Sequence, residues 1–159
     1  IVVQAFKALG DGFNLKIFGD GLDWPRLQRL AGRAANIEFL GRVSEDQKAE
    51  LYAHALAFIN PQEEDFGITA VEAMAAGRPV LAYRRGGATE TVVENESGLF
   101  FNEQTPDAIM SLVRCFLEDL DSGRKVWDSR AIKAHADTYA VSEFKRRMFA
   151  FIKSKQALA

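Results

Sequence analysis

Between Leu15 and Phe101, short apolar runs alternate with stretches of helical period, and glycine, proline or a capping residue marks most of the changes. Residues 15–18, 37–40, 56–59, 80–83 and 98–101 read as strands. Between them, residues 22–31, a segment running to Ala53, residues 70–76 and residues 91–94 read as helices, and a further amphipathic helix ends at Asp11-Gly12. Ser44-Glu45-Asp46-Gln47 has the pattern of a reciprocal cap for the helix that reaches Ala53. When each strand is followed by a helix, neighbouring strands can pair only in parallel, with right-handed crossovers placing helices on both faces. The predicted fold class is therefore α/β, a Rossmann-like parallel sheet.

After Phe101 the pattern is helical. Thr105-Pro106-Asp107 opens a long helix whose Ile109, Leu112, Val113, Phe116, Leu117 and Leu120 form a packing stripe, and residues 130–136 and 141–152 read as two more helices. A chain of 159 residues suits one domain with a single packed core, with residues 122–159 as its C-terminal helices. It begins without a methionine, on what reads as the rear of a helix, so a fragment of a longer protein is expected.

Several functions are disfavoured. The 20 basic and 22 acidic residues are interspersed and leave a net charge of −2, so there is no basic field for nucleic acid. No apolar run approaches the roughly 20 residues of a membrane span, and no signal peptide is legible. Lone Cys115 fits a reducing compartment, and its apolar helical setting predicts a core position. His54 and His135 lack neighbours at ligand spacing, and Asp119-Leu120-Asp121 reads as a solvated helix end, so no metal site is predicted. Gly19-Asp20-Gly21 lacks the third glycine of a dinucleotide fingerprint, which disfavours a dehydrogenase. Lys145, Arg146, Arg147 and Lys153 make the end basic; a solvated helix face is the default reading, and contact with a neighbouring domain or an acidic membrane surface the alternative.

Chemistry concentrates between Asn60 and Tyr83. Asn60-Pro61 closes a strand, Glu63, Glu64 and Asp65 form an acidic loop, Gly67 permits close backbone approach, and Thr69-Ala70-Val71-Glu72 reads as a capping box. Ligands collect at such a strand-loop-helix junction in a parallel sheet. Amides around Gly67 to Thr69 would be free donors at a positive helix end, suited to phosphate or sugar hydroxyls. At about 1.5 Å per helical residue, Glu64 and Glu72 could stand up to roughly 12 Å apart and grip two ends of one ligand. In the alternative reading, Glu72 only caps its own helix and the acidic loop complements the dipole. The glycine pair in Arg84-Arg85-Gly86-Gly87 suits a backbone passing close to a ligand, or an ordinary loop.

This stretch, with Glu64-Asp65-Phe66-Gly67 followed by Glu72-Ala73-Met74-Ala75-Ala76-Gly77-Arg78-Pro79-Val80, resembles the signature of the family 4 retaining glycosyltransferases, which have the GT-B architecture. The likeness runs from about Asn14 to Phe101, and its finer detail resembles bacterial mannosyltransferases of polysaccharide and lipopolysaccharide assembly. The resemblance implies the donor-binding C-terminal half of such an enzyme. The acceptor domain, and the first strand and basic loop of this domain, would then lie upstream. It implies that Glu64 is the catalytic residue, that Glu64, Asp65, Phe66, Gly67 and Ile68 meet the transferred sugar, and that Gly41, Arg42, Val43, Thr69 and Glu72 meet the nucleotide. The implied donor is a nucleotide sugar, GDP-mannose by the finer likeness, with a glycan or lipid-linked acceptor. No cofactor or metal is implied. The location implied is the cytoplasm, at the inner face of the membrane if the full protein is peripheral. A non-catalytic nucleotide- or sugar-binding module and, behind it, a glycoside hydrolase remain as rivals.

Overall fold

The computed structural model describes residues 1–156. Its elements are α1 Val2–Leu9, β1 Leu15–Phe18, α2 Trp24–Ala31, β2 Ile37–Gly41, α3 Glu45–His54, β3 Phe58–Asn60, α4 Ile68–Ala75, β4 Val80–Tyr83, α5 Ala88–Thr91, β5 Gly98–Phe101, α6 Pro106–Asp121, α7 Ser129–Asp137 and α8 Val141–Gln156. Every ladder is parallel. The strands form two hydrogen-bonded blocks, β1-β2 and β3-β4-β5, with Leu15 opposite Ile37 in one and Leu81 between Ile59 and Leu99 in the other.

Successive side chains of a strand point to opposite faces, and here both faces are packed. Leu15, Ile17, Ile59, Leu81, Leu99 and Phe101 join α1 and α6 in one core. Phe18, Phe58, Val80, Ala82 and Phe100 join Tyr52, α4, α5 and Ile132 of α7 in the other. The chain is an α/β domain of parallel strands flanked by helices, as the alternation requires.

Boundaries move where local chemistry outweighs pattern. Leu22 lies outside α2 and is fully exposed, while Trp24 instead packs edge-on against Phe39 at 5.2 Å. Cys115 is exposed and so lies outside the core, contrary to expectation; the buried face of α6 carries Ile109, Val113 and Phe116. The short helix expected at 91–94 forms earlier, because Thr91 N–H and Val92 N–H bond back to Gly87 O and Ala88 O. The Ser44-Gln47 reciprocal cap and the Thr105 cap before Pro106 are formed. Helix α8 has no buried residue and exposes Phe144, Met148, Phe151 and Ile152.

Asn36, buried between α2 and β2, holds the entry to β1. Its Nδ2 lies 2.8, 3.0 and 2.9 Å from the carbonyl oxygens of Phe6, Gly10 and Phe13. Replacing it with alanine strips a shared donor from three backbone acceptors in a largely dry site. Asn36→Ala is expected to lose about 2 kcal/mol of stability, within the roughly 1–3 kcal/mol of an unmade buried hydrogen bond. A urea midpoint equal to the parent's, at unchanged slope, would refute this role.

Candidate functional site

The carboxyl ends of β1, β2, β3 and β4 lead into the turns at Gly19, Gly41, Asn60 and Tyr83, with the acidic loop between β3 and α4. Gly67 sits at the start of α4 in the left-handed region, φ 77° and ψ 58°. A Cβ there would meet Glu64 Oε2 at 3.3 Å and Asn60 Nδ2 at 3.4 Å, so the Glu64 carboxylate lies close over the helix entry. Gln62 Nε2 donates to Glu64 Oε1. Ala70 N–H and Val71 N–H both turn to Gly67 O, and the amides of Gly67, Ile68 and Thr69 have no protein acceptor among the described residues. Free amides at a helix start are donors awaiting an oxygen ligand. Phe66 and Ile68 are exposed beside them.

The capping box predicted at Thr69 does not form. The helix starts at Ile68, two residues before Ala70, so Glu72 is its fifth residue and sits too deep to reach the entry. The Glu72 carboxylate turns to α3: Lys48 Nζ donates to Oε1 at 2.9 Å, and the Tyr52 hydroxyl lies 3.3 Å from Oε2. The same hydroxyl is 3.3 Å from Thr69 O, and its single proton serves one acceptor at a time. Lys48 also pairs with Glu45 at 2.9 Å. Hydrogen bonds to Glu45 and then Glu72 raise the Lys48 pKa; burial, with the Glu72 charge added, pushes that of Tyr52 up. Glu45, Lys48, Ala49, Tyr52, Glu72, Ala75 and Ala76 line an open cavity of about 350 Å³. A larger depression of about 420 Å³, by β5 and α6, contains none of these residues.

The turn Gly41-Arg42-Val43 leads directly into α3, at whose N-terminal end Glu45 and Lys48 line that cavity. Arg42 is held at the β1 turn: its guanidinium pairs with Asp20 at 3.1 Å, and its side chain is 85% exposed. The structure thus groups Glu64 with Gly67 and the free amides, and Thr69 with Glu72. Lys48 and Tyr52 had not been singled out from the sequence. Their signal was spacing, since Glu45, Lys48 and Tyr52 stand at i, i+3 and i+7 on one helical face.

The glycine pair packs against protein. Gly87 N–H donates to Glu64 O at 2.7 Å, and a Cβ at Gly86 or Gly87 would come within 2.4 Å of Glu64 O or Asp65 O. The absent side chains let the β4 turn press directly on the acidic loop. Among the described residues no group of three or more His, Cys, Asp or Glu side chains could hold a metal ion.

The sequence profile of the family "Glycosyl transferases group 1" matches residues 1–134. The chain belongs to this family. Among relatives of this glycosyltransferase domain, an uncharacterized glycosyltransferase of Methanocaldococcus jannaschii is 34% identical over 110 residues, covering 67% of this chain and 31% of the relative. A GDP-mannose-dependent alpha-(1-6)-phosphatidylinositol monomannoside mannosyltransferase of Mycobacterium tuberculosis is 36% identical over 122 residues, covering 70% and 32%. In structure the domain is similar to Anabaena HepE in complex with UDP-glucose, with a TM-score of 0.78, 20% identity, and coverage of 96% of this chain and 44% of HepE. The chain spans about a third of the length of the curated relatives it matches. Its fold is that of a Rossmann-like half of the two-domain GT-B architecture.

The packing of the glycine turn yields a direct test. Gly87→Ala is expected to cost roughly 1–3 kcal/mol, as overpacking does, and to speed exchange of the residue 87 amide that bonds Glu64 O. Gly21→Ala, where a Cβ meets nothing within 4 Å, should change neither. Equal denaturation midpoints for the two variants would refute the contact.

Proposed function

We propose that this domain binds the nucleotide-sugar donor of a retaining glycosyltransferase, which transfers a hexose to a glycan or lipid-linked acceptor. The observation that carries the reading is the acidic loop at the carboxyl ends of parallel strands, where Glu64 overhangs the free amides of Gly67 to Thr69 and Glu72 stands on a separate cavity wall. In this reading Glu72 accepts the ribose hydroxyls and the turn Gly41-Arg42-Val43 runs beside the base. Glu64 and the amides of Phe66 to Ile68 hold the transferred sugar, with Asp65 beside them. An ionised carboxylate accepting two hydroxyl hydrogen bonds is a strong grip on a neutral sugar. Glu64 orients the ring and stabilises the positive charge that grows on it as the bond to phosphate breaks. The attacking hydroxyl enters on the same face as the leaving diphosphate and gives its proton to a phosphate oxygen, which preserves configuration without a covalent enzyme intermediate.

The Mycobacterium relative's dependence on GDP-mannose favours that donor, and UDP-glucose in HepE makes UDP-sugars the first alternative. Both Glu72 oxygens already have protein partners, which suits a fixed binding group better than the acid of a hydrolase. Residues 1–159 form one donor-binding domain in this reading, with the acceptor domain supplied elsewhere in the protein. The edges of β1 and β3 that lack a ladder partner among the described residues would receive an upstream strand. The basic, phenylalanine-bearing α8 would lie against that second domain, and in a protein acting on lipid-linked acceptors it offers a peripheral contact to the inner face of the cytoplasmic membrane.

The two glutamates should separate in titrations of the full-length protein. Glu72→Ala is expected to weaken nucleoside diphosphate and nucleotide sugar alike, by roughly 1.5–3 kcal/mol for a hydrogen bond to a charged group. Glu64→Ala should leave nucleoside diphosphate affinity nearly intact while turnover collapses. Calorimetry with GDP, UDP and their sugars, beside a transfer assay, reads both. Unchanged nucleotide affinity in Glu72→Ala together with full turnover in Glu64→Ala would remove the basis for a donor site here.

A further inference from the structure

We propose that Lys48 is a positioning residue: its ammonium, shared between Glu45 and Glu72, fixes the Glu72 carboxylate so that the domain distinguishes ribose from 2′-deoxyribose. The inference rests on the reading that Glu72 meets the ribose. It adds the group that makes such recognition selective.

The geometry is that of a clamped carboxylate. Lys48 Nζ lies 2.9 Å from a carboxylate oxygen of Glu45 and 2.9 Å from one of Glu72, and its side chain is only 19% exposed. Tyr52, whose hydroxyl proton is shared with Thr69 O, reaches the other Glu72 oxygen at 3.3 Å from a rigid base. Its ring is buried, with edge-on contacts to Phe18 at 5.8 Å and Phe58 at 5.7 Å. Each Glu72 oxygen thus has one protein partner and keeps acceptor capacity for one more, which matches two vicinal hydroxyls. Glu45 is the solvent-side anchor, at 87% side-chain exposure, and keeps the ammonium from swinging away. Without Lys48 the two carboxylates would face one cavity with no cation between them, and repulsion would turn Glu72 outward. A hydroxyl pair could then be bound only by re-ordering a long side chain, a cost the clamp removes beforehand.

Lys48 acts through Glu72, so its signature is a ratio of affinities. GDP, 2′-deoxy-GDP, UDP and 2′-deoxy-UDP are titrated into the full-length parent, Lys48→Met and Lys48→Arg, with a thermal melt of each, and the ratio is read for the base that binds more tightly. The parent should prefer the ribonucleotide by roughly tenfold or more, the worth of a hydrogen bond to a charged group. In Lys48→Met that preference should fall by about three- to tenfold, the span set by ordering one long side chain, and Lys48→Arg should keep most of it. Should Lys48→Met lose its cooperative melt, Lys48→Gln is read by the same ratio.

Equal weakening of both nucleotides, with the ratio preserved, overturns the proposal and makes Lys48 a direct ligand contact. An unchanged or larger ratio overturns it as well. A parent that shows no ribose preference instead refutes the ribose role of Glu72, an outcome recognisable before any Lys48 variant is measured.

Discussion

The site depends on one close contact between two stretches of backbone. The turn after β4 lies so near the acidic loop that no side chain fits between them, and a single hydrogen bond, Gly87 N–H to Glu64 O, fixes their distance. Because the loop is supported from behind, its other side can present Glu64 and the amides of Gly67 to Thr69 without any ordering of its own. The left-handed backbone at Gly67 completes the arrangement by turning the chain into α4 beneath the Glu64 carboxylate. Preorganised donors of this kind are worth more than flexible ones, since binding does not have to restrain them.

Much of this was legible in the sequence, for identifiable reasons. Residues 80–83 and 98–101 read as strands at their observed bounds because each is a short apolar run with sharp ends, Pro79 and Arg84 around the first, Gly98 and Asn102 at the limits of the second. The start of α6 was readable from proline at its first position, and the Ser44 cap was readable because a capping side chain bonds within three residues, so sequence distance stands in for spatial distance. The same logic failed at Thr69. Its spacing to Glu72 is that of a reciprocal cap, but Gly67 already turns the chain and lets the helix begin earlier, while Lys48 and Tyr52 compete for the carboxylate from another helix. Partners 24 and 20 residues away leave no local pattern. The glycine pair fits a ligand approach or an ordinary loop equally well by sequence, and its true neighbour, the acidic loop, is likewise distant in the chain.

Charge at the site is handled by sharing. Lys48 serves two carboxylates, and Glu72 divides its oxygens between an ammonium and a phenol. Each group remains short of its full complement of partners, as a binding site requires, while none is left bare in a half-buried wall. Arg42, by contrast, satisfies Asp20 at the surface, where such a pair contributes little.

Strand β4 is the only one of the five with ladder neighbours on both sides among the described residues, and Val80, Leu81 and Ala82 are all buried. Local opening follows the easiest route, so a strand bonded on both edges and packed on both faces opens last. This strand runs straight into the turn that supports the acidic loop. The loop therefore draws its stiffness from the slowest-breathing part of the molecule, and Phe66 adds an edge-on contact to Tyr139 at 5.9 Å.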